Sequence, residues 1–119
     1  MRIFNEIERF NRERNLLKPF DKKLELEMAE EELQEVRDAQ TPEEMAKEFF
    51  DQIVVATGSI LKLGFIPQKI GEETMKQIQS RTGAINEAGK WCKDKAQDPD
   101  TLYTPNFESC KIKNRKERR

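Results

Sequence analysis

Residues 41–67, TPEEMAKEFFDQIVVATGSILKLGFIP, leave the chain few choices. Thr41 offers a side-chain acceptor at a helix start, Pro42 suits the first helical position, and Glu44 stands three residues after the cap, completing a capping box. From Phe49 onward, Phe49, Phe50, Ile53, Val54, Val55, Ile60 and Leu61 fall on nearly the full circumference of the helix so begun. Gly64 can close that helix in the left-handed conformation, and Pro67 prevents its resumption. A helix that is apolar all round needs cover all round, so this segment predicts the central helix of a bundle.

The flanking sequence supplies the cover. Ile3, Phe4, Ile7, Phe10 and Leu16 or Leu17 recur at intervals near three and four over residues 2–16, predicting a first helix that Pro19 ends. Asp21 is a natural N-cap for a second, strongly acidic helix that keeps Leu24, Met28, Val36 and Ala39 roughly in register. A fourth helix should begin near Pro67 and carry Ile70, Met75, Ile78, Ile85 and Trp91, with Gly83 and Gly89 as weak points where it could break in two. No strand pattern or internal repeat is visible. The expected fold is therefore all-α, an antiparallel bundle of four to five helices over residues 1–96, followed from Gln97 by an irregular arm with a basic end over residues 97–119.

Hydrophobic residues make up 35% of the 119-residue chain and charged ones 38%, so a lone copy buries little apolar surface and a homodimer or homotetramer is expected to complete it. The formal net charge of −1, from 22 basic and 23 acidic residues, argues against a membrane or nucleic-acid surface over the whole chain. The closing run KIKNRKERR lacks interleaved aromatics and reads as a solubilising tail. Histidine is absent, which removes Ser-His and Cys-His nucleophiles and the HExxH zinc site together. Cys92 and Cys110 form no CxxC pair, so they read as ordinary thiols in a reducing cytoplasm, a single disulfide being the alternative. The N-terminal MRIFNEIERFNRERN has no continuous apolar core of the kind that directs export, and a soluble cytoplasmic protein is expected.

Carboxylates carry the chemistry that remains. Glu32 and Glu35 are three apart on the second helix, Glu48 and Asp51 three apart on the third, and each pair projects from one side of its helix. The short connection DAQTP sets the two helices antiparallel, so the pairs can face one another. Acidic residues at such spacing are common on solvated helices. The second pair differs in standing at the edge of core: Glu48 directly precedes Phe49 and Phe50, and Asp51 stands one residue before Ile53. Four converging like charges repel unless a cation lies between them, and oxygen ligands without histidine or a thiolate cluster suit magnesium, with manganese as the ion that could take its place. Magnesium held this way commonly carries substrate phosphates.

The segment ELQE, twelve residues, then EFFD resembles the ExxE and ExxD pair of the MazG-like all-α nucleoside triphosphate pyrophosphohydrolases, a superfamily that includes dimeric dUTPases and phosphoribosyl-ATP pyrophosphohydrolases. The doublet Glu31–Glu32 matches as well, and the likeness extends over residues 21–64, more loosely to NEAGKWCKD. It implies magnesium-dependent hydrolysis of a nucleoside triphosphate to the monophosphate and pyrophosphate. Glu32, Glu35, Glu48 and Asp51 would be the metal ligands and Glu31 the residue that orients or deprotonates the attacking water. Lys76, Arg81 and Lys90 with the amide of Asn86 could contact phosphates, and Phe50 or Trp91 could stack on the base. Two other readings are carried: a non-catalytic helical interaction module, in which the four acids would not converge, and a phosphoribosyl-ATP pyrophosphohydrolase using the same acids.

Overall fold

The computed structural model describes residues 2–113, so Met1 and the basic run from Asn114 onward lie outside the described residues. The chain is mostly helical. In order come α1 (Arg2–Glu13), α2 (Lys22–Asp38), α3 (Pro42–Lys62), α4 (Pro67–Ser80), a two-stranded hairpin of β1 (Gly83–Ile85) and β2 (Trp91–Lys93), and two single turns of 3-10 helix at Pro99–Thr101 and Glu108–Cys110.

The helix ends form where the side chains dictate. Asp21 accepts from the backbone N–H of Lys23 and Leu24 at 3.1 and 3.4 Å, opening α2. Thr41 Oγ1 accepts from Glu44 N at 3.1 Å, while the Glu44 carboxylate takes the N–H of Gln40 at 2.9 Å, one residue before the cap. The box thus closes one position early, and donors are satisfied on both sides of the turn. At the far end of α3, Gly64 adopts φ 92°. Its N–H bonds to Leu61 O at 2.9 Å and that of Phe65 to Ile60 O at 3.2 Å, the paired arrangement that a left-handed residue permits after a helix.

α2 and α3 form the main packing unit, with α1 against α3 and α4 at its C-terminal end. Their direction follows from the cross-helix contacts. Glu25, early in α2, meets Ser59 and Lys62, late in α3, while Glu32 and Glu35, late in α2, meet Glu48 and Asp51, early in α3. That is an antiparallel hairpin of helices turned by Ala39–Thr41. The second helix does not bury the row expected of it. Val36 is buried, but Leu24 is exposed and Glu25 takes the inward position. α3 is central yet only partly covered: Thr57, Gly58 and Leu61 are buried, whereas Met45, Phe49, Phe50, Ile53 and Leu63 remain exposed.

The fourth helix is shorter than expected and ends at Ser80, so Ile85 and Trp91 are not helical. They are cross-strand partners in the hairpin, whose register pairs Gly83 with Lys93, Ala84 with Cys92 and Ile85 with Trp91. The cause is the turn. Asn86 Oδ1 accepts from the N–H of both Ala88 and Lys90 at 2.9 Å, and Gly89 takes φ 82°, which completes a three-residue hairpin loop. The arm after Gln97 is irregular but attached. Ile66 N donates to Cys110 O at 2.9 Å and Ile112 N to Gly64 O at 2.8 Å, and Cys110 is almost completely buried. Cys92 and Cys110 are both free thiols, the first exposed. Among the described residues no helix is long and apolar enough to cross a membrane.

Candidate metal centre

The α2–α3 hairpin brings Glu32, Glu35, Glu48 and Asp51 together, with one carboxylate oxygen from each lying within 4.8 Å of the others. Each pair comes from one face of one helix a turn apart, and the antiparallel packing sets the two pairs opposite. Glu35 is exposed and the other three are partly buried, so the cluster opens to solvent on one side and backs onto the helix pair on the other.

Its electrostatics are incomplete. Glu32 Oε2 and Glu48 Oε2 are buried from solvent and have no hydrogen-bond partner. A carboxylate oxygen in that position keeps its desolvation cost without compensation. The Glu48 carboxyl is raised above its ordinary range, chiefly by a hydrogen bond with Glu35 and then by burial; Lys47 pulls it the other way, and the charges of Glu35 and Asp51 push it up. Like charges crowded without a cation favour the protonated form of Glu48, which is the direction seen. Lys47 gives partial relief from outside: its Nζ lies 2.7 Å from Asp51 Oδ2 and 3.6 Å from Glu48 Oε1, and its own pKa is raised, first by the bond to Asp51. It is a well-exposed surface cation and leaves both orphaned oxygens untouched.

These features fit a hard divalent cation. The donor set is all oxygen, it is over-supplied with negative charge, and the two oxygens without donors belong to the partly buried members, one on each helix. Lys47 was not singled out by the sequence reading, although its spacing of four from Asp51 is a readable signal.

The other candidate residues are placed elsewhere or engaged locally. Glu31 is exposed on α2 beside Glu32 and is not one of the four converging acids. Phe50 lies exposed on α3. Lys76, on α4, donates to Glu73 at 3.1 Å and sits 5.8 Å from the Tyr103 ring centre. Arg81 directly follows α4 and donates to Gln77 Oε1 at 3.3 Å. The Asn86 side-chain oxygen is committed to the hairpin turn, Lys90 closes that turn, and Trp91 is exposed on β2.

A second charged group, unanticipated from the sequence, lies further along the same helix pair. Glu25 and Lys62 are nearly buried, with side chains 6% and 10% exposed; Lys62 Nζ donates to Glu25 Oε2 at 2.9 Å, and Ser59 Oγ donates to Oε1 at 2.7 Å. Here every carboxylate oxygen has a donor. No protein-family model matches the chain, and no curated protein or solved structure is significantly similar to it.

Proposed function

We propose that the chain is a magnesium-dependent nucleotide pyrophosphohydrolase of MazG-like fold, working as a self-associated helical assembly and cleaving (deoxy)nucleoside triphosphates to monophosphate and pyrophosphate. The observation that carries the reading is the convergence of Glu32, Glu35, Glu48 and Asp51 around two buried oxygens that have no donor. These four would hold magnesium, or manganese in its place. A bound divalent ion would neutralise phosphate oxygens and stabilise the charge on departing pyrophosphate.

The chain's own residues do the rest. The two helices fix the acids from opposite sides, so their separation is set by packing and not by flexible loops. Glu31, exposed next to Glu32, is assigned to the attacking water: its carboxylate orients the water and accepts its proton as oxygen attacks phosphorus. Lys47 partly offsets the charge of Glu48 and Asp51 before substrate arrives. The convergence of the acids weighs against a purely structural interaction module, and a phosphoribosyl-ATP substrate would use the same four residues.

The test is release of monophosphate and pyrophosphate from a panel of ribo- and deoxynucleoside triphosphates and phosphoribosyl-ATP, with and without magnesium, for wild type, Glu48→Gln and Glu31→Gln. Magnesium-dependent turnover that disappears in Glu48→Gln, and falls in Glu31→Gln with metal affinity kept, is the expected result. A wild type silent on the whole panel, or turnover indifferent to Glu48→Gln, would overturn the proposal.

A further inference from the structure

Lys47 stands on α3 directly before Glu48 and four residues before Asp51. Its Nζ lies 2.7 Å from Asp51 Oδ2 and 3.6 Å from Glu48 Oε1, so it reaches both acids that α3 contributes to the cluster. Helix stability does not account for the contact. A cation placed N-terminal to its acid at a spacing of four is the weaker orientation on a helix, and an ammonium whose side chain is 69% exposed gains little from a surface ion pair. The crowding of acids does account for it: four carboxylates with oxygens within 4.8 Å of one another draw in a cation that can reach them.

The pairing leaves work for a second cation. Lys47 takes Asp51 Oδ2 and Glu48 Oε1, while Glu32 Oε2 and Glu48 Oε2 keep no donor. A divalent ion held by Asp51 and an ammonium bonded to the same carboxylate repel each other. The flexible, exposed stem of Lys47 lets the ammonium turn away at little cost. Charge balance sets where it turns. Four carboxylates and one divalent ion leave two negative charges, which oppose the approach of a polyphosphate, so positive charge is needed at the solvent margin where Lys47 lies. The cations that the sequence suggested for phosphates are bonded elsewhere, Lys76 to Glu73 at 3.1 Å and Arg81 to Gln77 Oε1 at 3.3 Å.

We propose, on the pyrophosphohydrolase reading of the acid cluster, that Lys47 is a movable counter-ion and a phosphate ligand in turn. In the metal-free chain it ties Asp51 and Glu48. Once those carboxylates turn to a divalent ion, its ammonium passes to the phosphates of the substrate. The same residue thus weakens the hold on the bare ion and strengthens the hold on a polyphosphate that arrives with it.

Calorimetry on the full chain tests this with Lys47→Gln and Lys47→Arg, titrating magnesium alone and then inorganic pyrophosphate in saturating magnesium. Removing the ammonium should tighten magnesium alone about threefold, by loss of a repulsion that salt partly screens. It should weaken pyrophosphate about fivefold, the upper range for an exposed ion pair. In turnover, Lys47→Gln should raise KM for the nucleotide by about the same factor with kcat little changed, the difference narrowing at high salt. Lys47→Arg should restore wild-type values throughout. A merely structural role would weaken both ligands together. Magnesium affinity that does not rise in Lys47→Gln, or pyrophosphate affinity that does not fall, overturns the proposal and leaves the enzyme reading standing. A wild type that takes up no pyrophosphate and turns over no nucleotide overturns both.

Discussion

Removing one member of the Glu25–Lys62 pair should be among the most damaging single changes available to this chain. In Glu25→Ala, Lys62 loses its carboxylate 2.9 Å away while remaining 90% covered, and Ser59 loses its acceptor. Breaking a buried pair and leaving one charge uncompensated costs about 3–5 kcal/mol. With an unfolding entropy of about 2.1 cal/mol/K per residue, 119 residues lose about 0.25 kcal/mol per degree near the midpoint, so the melting temperature should fall by about 12–20 °C. Replacing both members, as Glu25→Leu with Lys62→Met, removes the charge with the partner and should cost less than about 1.5 kcal/mol. Urea and thermal melts of wild type, the two single variants and the double variant form a complete cycle. A loss below about 1 kcal/mol in Glu25→Ala, or a double variant whose loss equals the sum of the singles, would refute the claim that the pair is buried and coupled.

Metal uptake should expel a proton, because the Glu48 carboxyl is raised chiefly by its bond with Glu35 and a cation needs both ionised. Magnesium affinity should therefore fall as pH drops, starting above the ordinary carboxylate range; calorimetry in two buffers of different ionisation enthalpy reads the released proton, and equal heats would refute the coupling. Glu73 gives an opposite sign of shift. The Tyr103 hydroxyl, the Asn106 N–H and Lys76 hold its carboxyl at about 2, against 4.5 unperturbed. The native state then binds fewer protons than the unfolded one between these values, so the stability it contributes is whole above about 4.5 and is lost as pH falls toward 2. In Glu73→Gln the acid melt should be flatter over that range, and an unchanged slope would refute the assignment.

What the sequence disclosed was local. Asp21, Thr41, Pro42 and Gly64 act through neighbours four or fewer residues away, and each sits where its chemistry places it. The acid pairs were legible because helical spacing and a short turn suffice to bring them together. The hairpin is not legible from the sequence because Ile78 and Ile85 stand seven residues apart, a helical spacing that crosses the helix end, while Gly89 looks in isolation like a weak point in a helix and Asn86 gives no sign of its turn. The arm after Gln97 shows no periodicity, so nothing announced that Cys110 would be covered; the arm is held there by backbone bonds from Ile66 N to Cys110 O and from Ile112 N to Gly64 O, partners more than forty residues apart along the chain. Glu25 and Lys62 read as solvated charges because only the fold supplies the partner.

Those two charged groups on one helix pair also explain why the metal reading attaches to one and not the other. Glu25 is buried, but Ser59 and Lys62 give each of its oxygens a donor, so nothing external is required. Glu32 Oε2 and Glu48 Oε2 are also hidden from water but have no donor among the described residues, Lys47 reaching instead Asp51 and the other Glu48 oxygen. The deficit is one of positive charge, and an internal cation should be able to meet it. Glu32→Lys would turn the acid cluster into a set like the Glu25 group, with an ammonium between carboxylates. Wild type should gain about 2.7 kcal/mol of stability with magnesium at a hundredfold its Kd, whereas the variant should fold at least as well as metal-free wild type and show no magnesium response. A variant whose melting temperature still climbs with magnesium would mean that the ion binds outside the four acids.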